Sequence, residues 1–218
     1  MSVLRIDASI QGARSASSEL ADITEAAWLA TRPDTTFVRR HLGNEPLPAD
    51  AWAAAVHAGF LPDEQWTSAQ REAVALARTL ADELRRSEGA ILALPLYNWG
   101  VSQHAKTWFD LAMAGGVNGE RLLDGKPAIV LTTRGGGYAP GTPREGWDHN
   151  TGYLRRVIGD VWGADVILVE RELTLAGVNP AMDSLRGIAD AQKQAALEAS
   201  DRAGREAAAA VESGRQAA

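Results

Sequence analysis

The sequence predicts an α/β three-layer sandwich, a five-stranded parallel sheet covered by helices on both faces. Two observations carry this. Short apolar runs of strand length alternate, five times along the chain, with stretches whose apolar residues recur at helical spacing. Strands joined through helices run parallel, because the crossover returns the chain to the end from which it started. The central apolar runs are also nearly continuous, the pattern of strands buried on both faces. Five strands are too few for an eight-fold barrel, and the long helical connections exclude hairpins between them.

Each element has its own signal. Residues 3–7 (VLRID) form the first strand, followed by a serine-rich loop. Leu20, Ile23 and Ala27 then mark a helix over about 17–31, and residues 35–39 a weaker second strand at a sheet edge. Residues 41–66 hold three prolines, two glycines and the aromatics Trp52, Phe60 and Trp66, a long excursion with one short helix. Thr67 to Gln70 reads as a capping box, and Ala73, Leu76, Ala77, Leu80 and Leu84 line one face of the helix behind it, which Gly89 follows. Residues 90–94 (AILAL) are the most buried strand, stopped by Pro95. Val101, Ala105, Trp108, Phe109 and Ala112 form the next helical stripe, with Ser102 as its N-cap. Residues 127–133 are the fourth strand, 134–146 a glycine-rich loop leading to a helix ending near Trp162, and 166–169 the fifth strand. From about 181 to 218 the chain is an Ala-rich charged helix with little apolar character beyond Leu197, read as fraying from Glu206 onward. Residues 1–218 are expected to form a single domain.

Composition narrows the function. The 218 residues carry 22 Lys and Arg against 28 Asp and Glu, a net charge of −6, with no basic stripe for nucleic acid. Without cysteine there is no disulfide, thiolate nucleophile or Cys-ligated metal site. His41, His57, His104 and His149 are scattered, so no metal centre is expected. No apolar run approaches the roughly 20 residues of a membrane span, and the N-terminus lacks a signal-peptide pattern. A cytoplasmic protein is the expectation.

In an open parallel sheet, ligands bind outside the carboxyl ends of the strands, where the strand order reverses. Three loops leave such ends with unusual composition. Residues 8–18 (ASIQGARSASS) offer four hydroxyls before a helix N-terminus, suited to a phosphate, although Ser17 as a plain cap with turn serines would read the same way. Residues 95–100 (PLYNWG) place two aromatics around an asparagine, fit to cover a planar ligand or simply to close the core. Residues 132–138 (TTRGGGY) allow close backbone approach beside Arg134, a setting for developing negative charge or an idle flexible loop. The first loop matches neither the P-loop nor the dinucleotide fingerprint.

Together, Ser9…Ser15-Ala16-Ser17, Pro95-Leu96-Tyr97-Asn98-Trp99…Lys106-x-x-Phe109-Asp110 and Thr133-Arg134-Gly135-Gly136 resemble the FMN-dependent NADH-azoreductases, within the flavodoxin-like NAD(P)H:quinone reductases. The resemblance covers roughly residues 3–190. It implies a flavodoxin-like sheet of order 2-1-3-4-5, a homodimer, FMN as cofactor and NADH or NADPH as electron donor. By similarity, Ser9, Ser15, Ala16 and Ser17 would hold the FMN phosphate. Leu96, Tyr97, Asn98 and Trp99 would run along the isoalloxazine, and Thr133, Arg134, Gly135 and Gly136 would approach its N1/O2 side. The implied chemistry is ping-pong two-electron transfer to quinones and azo compounds, with the flavin and not a side-chain acid doing the chemistry. Tyr138, Trp52 and Phe60 are candidates for the substrate side. Residues 115–125 are shorter than the family's usual loop, which would leave the flavin less roofed and admit bulkier quinones. The rival readings are a flavodoxin-like electron carrier or flavin donor serving a protein partner, and a flavin-free binding module on the same fold.

Overall fold

A computed structural model describes residues 2–216; Met1, Ala217 and Ala218, the last two counted in the predicted C-terminal helix, lie outside the described residues. The main sheet consists of β1 (Ser2–Asp7), β2 (Thr36–His41), β3 (Ser87–Ala93), β4 (Pro127–Thr133) and β5 (Asp165–Arg171). All pair in parallel, in the order β2-β1-β3-β4-β5, with Arg5 beside both Arg39 and Ile91, Leu92 beside Val130, and Leu131 beside Val169. The helices are α1 (Ala16–Thr31), α2 (Ala51–Ala58), α3 (Ser68–Arg86), α4 (Gln103–Gly115), a short α5 (Thr151–Leu154) that runs on into a π-helical turn (Arg155–Val161), and α6 (Arg186–Gln216). Among the described residues, no helix is long and apolar enough to cross a membrane.

Because side chains alternate across a strand, each central strand feeds two cores. Leu4, Ile6, Leu92 and Val130 point to the face covered by α2, α3 and α4, where Leu80, Leu84, Trp108, Phe109 and Trp162 meet them. Val3, Ile91, Ile129 and Leu131 point to the face covered by α1 and α6, against Leu20 and Trp28. The capping box at α3 forms as read: the Gln70 amide donates to Thr67 Oγ1 at 3.2 Å and the Thr67 amide donates to Gln70 Oε1 at 2.9 Å. Ser102 caps α4 by accepting the Ala105 amide at 3.2 Å.

Several expectations change. Helix α1 starts a residue earlier and is capped by Ser15, whose Oγ accepts the Ser18 amide, while Ile23 turns outward and Trp28 fills the interior. Gly89 follows α3 as read but already lies inside β3, which starts at Ser87, and a Cβ there would stand 2.9 Å from the Pro127 carbonyl and 3.0 Å from the Trp28 ring. The loop after β4 extends to Asn150, and Val101 belongs to a small hairpin ahead of α4. The tail of α6 is not frayed where alanines crowd it: Ala203, Ala207 and Ala208 are buried against α1 and the sheet. Alanine is apolar enough to bury and small enough to let two helices approach closely. Gly204 marks that contact, since a Cβ there would strike the Thr24 carbonyl.

Gly204→Val should therefore lower unfolding free energy by about 1–3 kcal/mol in chemical denaturation. Gly214→Ala, at a position with open space around it, should leave stability unchanged or slightly raised.

Candidate functional site

The loops that follow β1, β3, β4 and β5 enclose one cleft of about 470 Å³ at the carboxyl ends of the strands, beside the point where the strand order reverses between β1 and β3. That volume lies in the range of roughly 300–1,000 Å³ typical of small-ligand sites. A cavity of about 560 Å³ between Lys126, Pro127 and Glu206 lies at the opposite, amino end of the sheet and shares no residue with the three loops.

The first loop turns through Gly12, at φ +54°, into a single 3-10 turn (Gly12–Arg14) and then α1. Ser15 and Ser17 are buried and their hydroxyls meet at 3.2 Å, while Ser9, Gln11, Arg14 and Ala16 line the cleft. The Ala16 and Ser17 amides, in the first turn of α1, have no acceptor among the described residues. Orphan amides at the positive end of a helix dipole are suited to an anion.

The second loop is a tight antiparallel hairpin pairing Leu96 with Val101 and Tyr97 with Gly100. Its two turn residues, Asn98 at φ 47° and Trp99 at φ 65°, are both left-handed, the geometry of a type I′ turn. Asparagine tolerates that region; tryptophan there costs on the order of 1–3 kcal/mol and must be held. The His149 amide donates to the Trp99 carbonyl at 2.9 Å, and the Trp147 ring meets the Trp99 ring edge-on at 6.2 Å between centroids. Tyr97 joins this hairpin to the first loop: its hydroxyl lies 3.2 Å from Ser9 Oγ and accepts the Ile10 amide at 3.2 Å. The Asn98 and Trp99 amides have no acceptor among the described residues.

In the third loop the structure corrects the expectation for Arg134. Its guanidinium does not reach the cleft. It is 5% exposed and bound by Asp148 (2.5–2.8 Å), Glu170 (2.5 Å) and Thr151 Oγ1 (2.7 Å), with Glu172 at 3.6 Å. Burial opposes its charge, but the Glu170 and Asp148 carboxylates outweigh that and raise its pKa above the usual arginine value. Burial would likewise push Asp148 up; the Thr151 amide and hydroxyl and the Arg134 guanidinium more than offset it and hold the carboxyl below its ordinary range. Asp148 also accepts the Asn150 amide at 2.8 Å, so it fixes the segment that presents the His149 amide to Trp99.

The glycines after Arg134 are not needed for left-handed backbone, since none of the three has positive φ. Neighbouring side chains lie close over them instead: a Cβ at Gly135 would stand 2.8 Å from Leu175, one at Gly136 would meet the end of the Arg144 side chain, and one at Gly137 would stand 3.1 Å from Thr142. Amides from the loop after β5 cover this turn, with Thr174 donating to the Arg134 carbonyl (3.1 Å), Leu175 to Gly135 (3.2 Å) and Leu173 to Gly136 (3.3 Å). The Gly135 and Gly136 amides stay without an acceptor among the described residues and line the cleft, as do Thr133 and Tyr138.

Three other placements differ from expectation. Trp52 on α2 and Phe60 beyond it are 46% and 79% exposed and do not line the cleft. Residues 115–125 cannot roof the cleft of their own chain, because they run from the end of α4 to just before β4, at the amino end of the sheet. Arg85, at the end of α3, pins Glu120 there at 2.7 and 2.9 Å and, with the Val117 amide, holds its carboxyl down to about 2; Lys126 donates to the Arg85 carbonyl at 2.7 Å. The sequence reading also missed the wall made by Thr174, Leu175 and Val178, and the rim residues Gln11 and Arg144. The wall leaves the carboxyl end of β5, so the topological rule alone pointed to it; its apolar composition gave no chemical signal.

The profile of a family described as having the flavodoxin-like fold matches residues 1–201. An FMN-dependent NADH:quinone oxidoreductase of Frankia alni is 39% identical over 185 residues, covering 83% of this chain and 87% of that protein. A protein of the same description from Parafrankia sp. is 34% identical over 207 residues, covering 92% of this chain and 98% of its own length. Among solved structures, an azoreductase from Bacillus anthracis superposes with a TM-score of 0.74 at 21% identity, over 94% of this chain and 99% of its own. At that identity it shows a shared fold.

Asp148→Asn should lower stability at pH 7 by about 1–3 kcal/mol, the value of hydrogen bonds to a charged partner. Because the folded carboxyl titrates below its unfolded value, its contribution is complete above about pH 4 and is lost as pH falls through the lowered value. Denaturation curves of wild type and variant should therefore converge in acid and separate toward neutrality.

Proposed function

The chain belongs to the flavodoxin-like family, together with FMN-dependent NADH:quinone oxidoreductases, and on that premise we propose that its cleft holds FMN, with the phosphate at the first turn of α1 and the ring between the hairpin and the glycine turn. The protein is an FMN-dependent NADH:quinone oxidoreductase that reduces quinones and azo compounds. One observation supports the cofactor's placement above all: three loops bring amides without an acceptor among the described residues, at residues 16–17, 98–99 and 135–136, to a single cleft that Ala16, Asn98, Trp99, Gly135 and Gly136 line. Such donors fit a ligand with a phosphate at one end and ring carbonyls and nitrogens at the other.

When bound, FMN supplies two-electron chemistry between the nicotinamide donor and the acceptor. The protein's part is to hold and polarise. The Ala16 and Ser17 amides, with Arg14 on the same rim, meet the phosphate's charge; Ser15 and Ser17 shape that turn from beneath. Ser9 and Tyr97 keep the phosphate loop and the hairpin at a fixed separation. Leu96 and Trp99 give the ring an apolar bed, and the Asn98 and Trp99 amides meet its polar edge. Thr133, Gly135 and Gly136 close the opposite side, where fixed amides stabilise negative charge as it develops. Among the described residues no carboxylate or imidazole lines the cleft, which suits a reaction whose protons come from water or the acceptor. Donor and acceptor take turns at the open face beside Tyr138.

The exposed Trp52, Phe60 and Leu61 support a homodimer in which one subunit's apolar surface completes the other's cleft. The whole chain acts as one domain, in the cytoplasm.

Purified protein should show the visible absorbance of oxidised flavin, bleached anaerobically by NADH and restored by a quinone. Flavin that NADH cannot bleach would point to an electron carrier instead. Tyr97→Phe should weaken FMN binding about tenfold in a fluorescence titration, the cost of losing one hydroxyl that holds two loops.

A further inference from the structure

We propose that Arg144 is the anion-recognising residue at the mouth of the cleft and binds the negatively charged part of whichever molecule visits the open face. This rests on the reading that the cleft holds FMN and exchanges donor and acceptor there.

Arginines elsewhere in the protein are largely neutralised: Arg5, Arg32, Arg40, Arg134 and Arg171 each hold a carboxylate. The Arg144 carbonyl accepts the Trp147 amide at 3.1 Å, but its guanidinium has no ion pair or hydrogen bond among the described residues. The nearby carboxylates are committed to other groups. Glu172 accepts the Tyr138 amide at 3.0 Å and faces Arg134, and Glu145 accepts the Gly141 amide at 2.8 Å. Arg144 is nevertheless placed. Its guanidinium carbon sits 5.8 Å from the centre of the Tyr138 ring, and its Nη1 occupies the space a side chain at residue 136 would fill. Gly136 has no positive φ, so backbone conformation does not call for glycine there, and the guanidinium lies over the bare backbone of the turn.

The charge balance of the cleft completes the argument. Among the described residues no acidic one lines it, and its two cations, Arg14 and Arg144, stand on different loops. Arg14 adjoins the orphan amides of α1, where the resident phosphate is placed. Arg144 is exposed on the loop after β4, so it meets what enters and leaves. A planar guanidinium fork matches the paired oxygens of a carboxylate, a sulfonate or a diphosphate. Two visitors carry such groups, NADH through its diphosphate and an acceptor through a carboxylate or sulfonate.

The test compares wild type with Arg144→Gln and Arg144→Lys, using NADH, a neutral quinone and the sulfonated form of the same quinone. If the acceptor is the partner, Arg144→Gln should raise the ratio of sulfonated to neutral quinone KM about tenfold; if the donor is, KM for NADH should rise by a similar factor. Arg144→Lys should recover part of either loss. The affinity for FMN, followed by fluorescence titration, should match wild type. Equal rises in KM for both quinones with NADH unchanged, a fall in FMN affinity, or no change for either anion would each overturn the proposal while the enzyme reading stands. Wild-type protein that neither holds FMN nor oxidises NADH would overturn both.

Discussion

The site depends on one buried cation. Arg134 sits behind the glycine turn, out of reach of the cleft, and its guanidinium gathers Asp148, Thr151 and Glu170. Removing an arginine from water is costly, and only several charged acceptors in good geometry repay it. Asp148 transmits that constraint. By holding the Asn150 and Thr151 amides it sets the segment whose His149 amide reaches Trp99. A charge buried behind one loop thus braces the strained turn of another.

The polar backbone around the cleft follows from the same arrangement. Carbonyls of the glycine turn are taken from behind by the Leu173, Thr174 and Leu175 amides, a chain reversal that places Leu173 itself at φ 57°. The turn's own amides are left toward the cleft. The helix start at Ala16 and the hairpin turn at Asn98 reach the same condition by different means, the first because a helix cannot satisfy its first amides, the second because a two-residue turn cannot. Three unrelated local geometries produce one surface of donors. Such a surface stays available only if a ligand or water satisfies it, which ties the stability of these loops to occupancy of the cleft.

The two ends of the sheet divide the work of the fold. At the amino end, Arg85–Glu120 and the contacts of Lys126 and Leu123 close the connections tightly onto α3 and the Trp162 turn. At the carboxyl end, the loops are long, carry the left-handed residues Asn98, Trp99 and Leu173, and enclose space. A parallel sheet favours this division, because every crossover brings a strand's carboxyl end to the same side.

The amino-acid sequence by itself determined the layers, the five strands and the three loops, because hydrophobic period, capping residues and glycine or proline breaks act over a few neighbouring positions. Residues 90–94 and 127–133 could hardly be anything but buried strands, and Thr67 and Ser102 cap as local chemistry requires. It could not tell where a side chain points once loops meet. Arg134 read as a cleft residue and is a buried brace; Gly136 read as part of a turn bare to a ligand or an idle loop and lies under the Arg144 side chain; Ala207 read as a frayed end and is core. The wall from Thr174 to Val178, and the position of residues 115–125 at the far end of the sheet, were likewise settled only in three dimensions. In each case the partner lies many residues away. The competition among buried charge, packing space and unpaired backbone is decided only when the tertiary structure brings those partners together.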